Sequence, residues 1–197
     1  MILQGLFALS PRLVQSGRPS RPGAATLYPP PSSAAARREA RIALELALYQ
    51  PDFAQNAGSA LRLGACLGVR VHIIHPTGFP FSVKALRRGG LDYVEQADFM
   101  EHDSFAHFEA WRHDSGRRLV LLTTRSSESA YAAAFTPADV LMIGRETAGV
   151  PESVADTAGL RIRIPMRQGL RSLNMATAAS LVLGEALRQT GGFETLT

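Results

Sequence analysis

Short apolar runs and helical stretches take turns along this chain from Arg41 to its end. The run IALELALYQ, residues 42–50, predicts a buried strand, with helix as the competing reading because of its Ala and Leu content. NAGSALRLGACLG, residues 56–68, repeats apolar positions at helical spacing and stops at a glycine. The strand VRVHIIHP (69–76), the helix SVKALRRGG (82–90), a short strand near DYVEQ and the helix SFAHFEAWRHD (104–114) follow. RLVLLTT (118–124) and DVLMIG (139–144) predict two more strands, a short helix is expected after Pro151, and LRIRIPM (160–166) predicts the last strand. The closing helix, 173–190, is apolar on nearly every side, with only Glu185 and Arg188 interrupting it, so it lacks an obvious wet face. Strands alternating with helices predict an α/β domain, a mostly parallel sheet covered by helices on both faces. Ligands of such sheets sit at the carboxyl ends of the strands. No internal repeat is present.

Residues 1–38 have a different texture. Pro29-Pro30-Pro31, further prolines at 11, 19 and 22, and scattered Ser, Gly and Ala cannot bury a core. This segment reads as a disordered extension or a start assigned too early, and its arginine-rich, acid-free composition also resembles an organelle transit sequence. It changes the meaning of the net charge of +4 as well. Arg12, Arg18, Arg21, Arg37 and Arg38 all lie in it, which leaves 16 cationic against 17 acidic side chains in residues 39–197. The structured part is near neutral, so any RNA- or phosphate-binding surface must come from local clustering. No apolar run approaches the roughly 20 residues of a membrane span. Cys66 is the sole cysteine, which excludes an intrachain disulfide and fits a reduced, cytoplasmic setting.

Three segments that follow strands are over-specified for connections. In QPDFAQNAGSALRLGACLGV, Asn56 is expected to cap the helix through its side chain, and Arg62 lies six residues further on, under two turns away. An ordinary capped helix with a surface arginine explains this segment equally well. In LMIGRETAGVPE (141–152), Gly144 at a strand end suggests a ligand passing close to the backbone, and Glu146 is placed to accept hydrogen bonds. In IPMRQGLRSLNMATAASL, Ser172 is expected to cap the final helix by accepting from the amide of Asn174 or Met175. Each is weak alone; three at successive strand ends predict one shared site.

Other chemistries find little support. There is no G-x-x-x-x-G-K-[ST], nor a G-x-G-x-x-G after the first strand. His72 and His75 fall on opposite faces of a strand, and His102, His107 and His113 read as positions along a helix without ligand spacing, so no metal is expected. Basic clusters are local: Lys84, Arg87 and Arg88; Arg117 and Arg118; Arg161, Arg163, Arg167 and Arg171.

The set QNAGSALRLGACLG, LRRGGLDY, LMIGRETAGVP and RIPMRQGLRSLNMATAASLVLGEA resembles the SPOUT class of knotted RNA methyltransferases, over about residues 41–193. Within that class it is similar to the small TrmL-type tRNA (cytidine(34)-2'-O)-methyltransferases, with HIIHPTGF and KALRRGGLDY carrying most of that finer match. The resemblance implies a C-terminal trefoil knot, S-adenosylmethionine as methyl donor, a homodimer, and the anticodon stem-loop of tRNA as substrate. It places Leu122, Gly144, Ile164 and Ser172 in the cofactor site, with Met166, Leu173 and Asn174 nearby. It makes Arg62 the catalytic residue that handles the ribose 2'-hydroxyl, with Asn56 ordering the loop around it. Lys84, Arg87 and Arg88 become the RNA-binding candidates. Two departures stand out: Gly184 replaces a tyrosine common before the glutamate of the last helix, and Met175-Ala176-Thr177 replaces more polar residues. A knotted methyltransferase for another tRNA or ribosomal site, and an RNA- or cofactor-binding relative without catalysis, remain alternatives.

Overall fold

The computed structural model describes residues 44–82 and 96–196. Six strands form one sheet: β1 Glu45–Tyr49, β2 Val71–Ile74, β3 Phe99–His102, β4 Arg118–Leu122, β5 Asp139–Ile143 and β6 Leu160–Ile162. Their order across the sheet is β3-β2-β1-β5-β4-β6, and every pairing is parallel. Among the described residues four helices connect and cover them: α1 Ala54–Leu67, α2 Phe105–Asp114, α3 Glu152–Ala155 and α4 Met175–Thr190, followed by a 3-10 turn, Gly192–Thr195.

Alternation along the strands divides the core into two layers. Leu46, Leu48, Val120, Leu141 and Ile143 face one side, where α1 and α4 supply Ala57, Leu61, Ala179, Val182 and Leu183. Ala47, Tyr49, Leu121, Val140 and Met142 face the other, against Phe108 of α2 and Val154 and Ala155 of α3. Helices on both faces bury all five residues of β1 and of β5, which explains why both read as near-continuous apolar runs.

Several boundaries differ from the sequence reading. Residues 83–90 of the predicted helix 82–90 and the residues of DYVEQ up to 95 lie outside the described residues, while Ser82 has no regular structure and Gln96 is in a turn. The third strand is Phe99–His102 at the sheet's edge, where FMEH is only partly buried and shows no clean alternation. His102 therefore belongs to a strand and not to the helix that carries His107 and His113. Helix α1 starts at Ala54, with Phe53 at its N-cap and no side-chain cap bond, so Asn56 is in its first turn and does not cap it. Its stop is as expected, at Gly68 in the left-handed region (φ 64°).

Helix α4 is capped by Asn174, whose side-chain oxygen accepts from the amides of Ala176 and Thr177, and not by Ser172. A wet face does exist on it: Met175, Ala178, Ala179, Val182, Leu183, Ala186 and Leu187 are buried, while Thr177, Ser180, Leu181 and Arg188 are exposed. The side chain of Gln189 ties α4 to the segment after β4, accepting from the amide of Phe135 and donating to the carbonyl of Ala133.

Candidate functional site

Strand order reverses direction beside β1: the chain runs outward to β2 and β3, then returns to β4, β5 and β6 on the other side. Connections leaving β1 and β5 therefore diverge, and crevices of parallel sheets open at such points. Here the two loops are clamped together. The Asp52 carboxylate accepts from the Arg145 guanidinium, with Nε at 3.0 Å, and from Thr147 through its amide at 3.0 Å and its hydroxyl at 2.6 Å. Burial works against the charged form of Asp52, but these hydrogen bonds and the charge of Arg145 outweigh it and hold the carboxyl below its usual range.

Beside that clamp runs a second chain of bonds. Glu146 accepts from the amide of Asp52 at 2.7 Å and from the side-chain amide of Asn56 at 2.9 Å. Asn56 in turn accepts from the side-chain amide of Asn174 at 2.9 Å. The three loops singled out from the sequence are thus joined side chain to side chain, across 90 and 118 residues of chain. Glu146 accepts hydrogen bonds as expected, but from the protein. Gly144 also has a local reason: a β-carbon there would come within 2.6 Å of the backbone of Gly149, which folds back on Arg145 through two backbone hydrogen bonds. The close approach predicted at Gly144 is made by its own loop.

A cavity of about 890 Å³ opens over the carboxyl ends of β4, β5 and β6. Its wall includes every residue assigned to a cofactor from the sequence: Leu122, Gly144, Ile164, Met166, Ser172, Leu173 and Asn174. Asn56 also reaches the wall; Arg62 does not, and stands exposed further along α1. Lys84, Arg87 and Arg88 lie outside the described residues. Asp52 and Arg145 were not assigned roles from sequence; an acid directly after the proline that follows the first strand, in QPDF, was the available sign of a loop clasp.

The volume fits a cofactor-sized ligand. Apolar side chains of Leu122, Ile164, Met166 and Leu173 offer walls for a flat ring, and the polar ends of Thr123, Ser172 and Asn174 offer hydrogen bonds at the rim. Among the described residues no group of three or more His, Cys, Asp or Glu is arranged to hold a metal ion.

Comparison with known proteins agrees with this geometry. Residues 43–184 match the SpoU rRNA Methylase family. A tRNA (cytidine(34)-2'-O)-methyltransferase of Ancylobacter novellus is 54% identical over 152 residues, covering 77% of this chain and 96% of that one. A solved structure described as giving structural insights into the 2-OH methylation of C/U34 on tRNA superposes with a TM-score of 0.69 at 42% identity, over 74% of this chain and 95% of that one. An AdoMet-bound rRNA methyltransferase from Sinorhizobium meliloti superposes with a TM-score of 0.67 at 26% identity, over 74% of this chain and 56% of that one. With its parallel sheet, its clasped loops and this match along most of its length, the chain belongs to the SpoU rRNA methylase family.

Proposed function

We propose that this protein transfers a methyl group from S-adenosylmethionine to the ribose 2'-oxygen of nucleotide 34 in tRNA. The observation that carries this reading is the convergence of three sequence-distant loops on one cavity, in a chain 54% identical to an enzyme named for that reaction. The donor's sulfonium supplies an activated methyl group, so the protein has to align the 2'-oxygen and help its proton leave. Leu122, Ile164, Met166 and Leu173 wall the cofactor, and Ser172 and Asn174 bond to it at the rim.

Arg62 handles the hydroxyl. A guanidinium offers hydrogen-bond donors and no acceptor, so Arg62 orients the hydroxyl and stabilises the negative charge that develops on oxygen. Asn56 is a positioning residue. Its amide is pinned on both sides, by Glu146 and by Asn174, and so fixes the first turn of the helix that carries Arg62.

Arg62 stands outside the cavity wall, which fits a site completed by a second copy of the chain in a homodimer. Exposed Phe53, Leu173 and Leu181, and the open space over Gly184, support the same reading. A C-terminal knot is supported by the segment after β4, which bonds to the chain leaving β6 through Ser126 to Arg161, Arg163 to Glu128 and Ala130 to Arg163. The catalytic domain spans about 41–193 and works in the cytoplasm; residues 1–38 are an extension to it, and Lys84, Arg87 and Arg88 contribute to RNA binding.

The test uses tRNA from a strain lacking this gene, labelled S-adenosylmethionine and nucleoside mapping. Label at the 2'-oxygen of nucleotide 34, lost in Arg62→Ala, is expected. Label at another nucleotide, or full transfer by Arg62→Ala, contradicts the reading.

A further inference from the structure

Most of the described arginines are committed elsewhere: Arg70, Arg112, Arg117, Arg118, Arg125, Arg145, Arg161 and Arg188 are each held against a carboxylate, and Arg62 is the residue assigned to the ribose hydroxyl. Arg163, Arg167 and Arg171 are all exposed, and their side chains make no hydrogen bond or ion pair among the described residues. They fall within nine residues of each other, on the segment that leaves β6 and enters α4.

That segment is unusual in charge as well. From Leu160 to Gly184 there is no acidic residue at all, although the structured chain as a whole is near neutral. Three guanidinium groups placed together without a counter-charge repel one another, and nothing in the packing requires them there. A guanidinium left unmatched in this way is a fork of donors suited to bidentate contact with a phosphate. The same segment supplies Ile164, Met166, Ser172, Leu173 and Asn174 to the cavity, and Arg171 lines it too. At its tip Leu170 is 66% exposed, in a turn closed by a bond from its amide to the carbonyl of Arg167.

We propose that Arg163, Arg167 and Arg171 form the surface on which the RNA phosphodiester backbone next to the target nucleotide lies. The proposal rests on the RNA-methyltransferase reading and adds to it the part of the chain that grips the substrate. Arg161 has no share in this surface, since it is committed to Glu152 and Asp156.

The test is anisotropy of a labelled anticodon stem-loop RNA, titrated with the full-length protein at several salt concentrations between about 50 and 200 mM. Replacing Arg163→Gln or Arg167→Gln is expected to lower the slope of log Kd against log salt by about 1 each, and both together by about 2. Arg70→Gln, at the opposite end of the sheet, is expected to leave the slope unchanged. Neither Arg163 nor Arg167 lines the cavity, so calorimetric binding of S-adenosylmethionine and the thermal midpoint stay the same in both variants. A slope unchanged in the double variant, with nucleotide 34 still methylated by the unaltered protein, overturns this surface alone and leaves the arginines to an acidic protein partner. Methylation at a different nucleotide with the slope lowered as expected overturns the substrate reading and upholds the surface. An unaltered protein that fails to bind RNA overturns both.

Discussion

Two polar networks share this sheet and differ in almost every respect. Under α2, Glu45, His72, His102 and Arg117 are all buried. His72 Nε2 lies 2.7 Å from Glu45 and its Nδ1 lies 2.9 Å from His102, Arg117 takes the other oxygen of Glu45 at 3.0 Å, and Trp111 packs on the His72 ring at 4.2 Å. A carboxylate can only accept, so His72 donates to Glu45 and accepts from His102, and the chain of protons is fixed. At the carboxyl edge, Asp52, Asn56, Glu146 and Asn174 keep contact with solvent, and the last three line a cavity. One network spends its hydrogen bonds inside the fold. The other uses them to hold loops in place around space left for a ligand. Polar density alone therefore does not mark a functional site; access does.

The strongest way to break this contrast is to remove Glu45. Glu45→Ala leaves Arg117 and His72 buried without their carboxylate, and a loss of about 3–5 kcal/mol is expected by urea unfolding. Asn56→Ala at the open network is expected to cost far less stability and to lower methyl transfer. Equal stability losses in the two variants would erase the distinction.

Acid should tell the networks apart next. Burial, with His72 beside it, lowers the pKa of His102 to about 3, and burial lowers that of His72. Both rings are neutral in the folded protein, while in the unfolded chain they take up protons below about 6.5. The unfolded state then binds more protons, so the stability these rings allow is fully present above pH 6.5 and is lost as pH falls from there toward 3. His72→Phe with His102→Leu is expected to flatten that part of the stability profile; an unchanged profile would assign acid sensitivity to other groups.

The smallest effect sharpens the open network. Asn174→Ala removes the cap of α4 and the bond to Asn56, at a cost of about 1 kcal/mol in stability, whereas Ser172→Ala is expected to stay within about 0.5 kcal/mol. Thermal midpoints ranked the other way would restore Ser172 as the cap.

Much of the fold was legible because buried parallel strands are apolar runs of five or so residues, and β1, β4 and β5 are that. Strand β3 was not, because FMEH at an edge is half wet and carries no pattern. Placement of the three loops at strand ends predicted one shared site, and the family likeness supplied seven cofactor candidates, each of which lies on the cavity wall. What joined the loops was out of reach: Asn56 reads as a cap from its neighbours, and only the folded chain brings Glu146 and Asn174 to it. The sealed network left a fainter sign. A glutamate inside IALELALYQ and a histidine inside VRVHIIHP are polar residues on strands buried on both faces, and such residues need each other.

Hydrogen exchange with and without S-adenosylmethionine tests the central claim most directly. The account predicts slower exchange on adding the cofactor in residues 122–125, 144–150 and 164–175, and no change in α2 or around Glu45 and His72. Protection confined to α2 and its strands, or none anywhere, would contradict it.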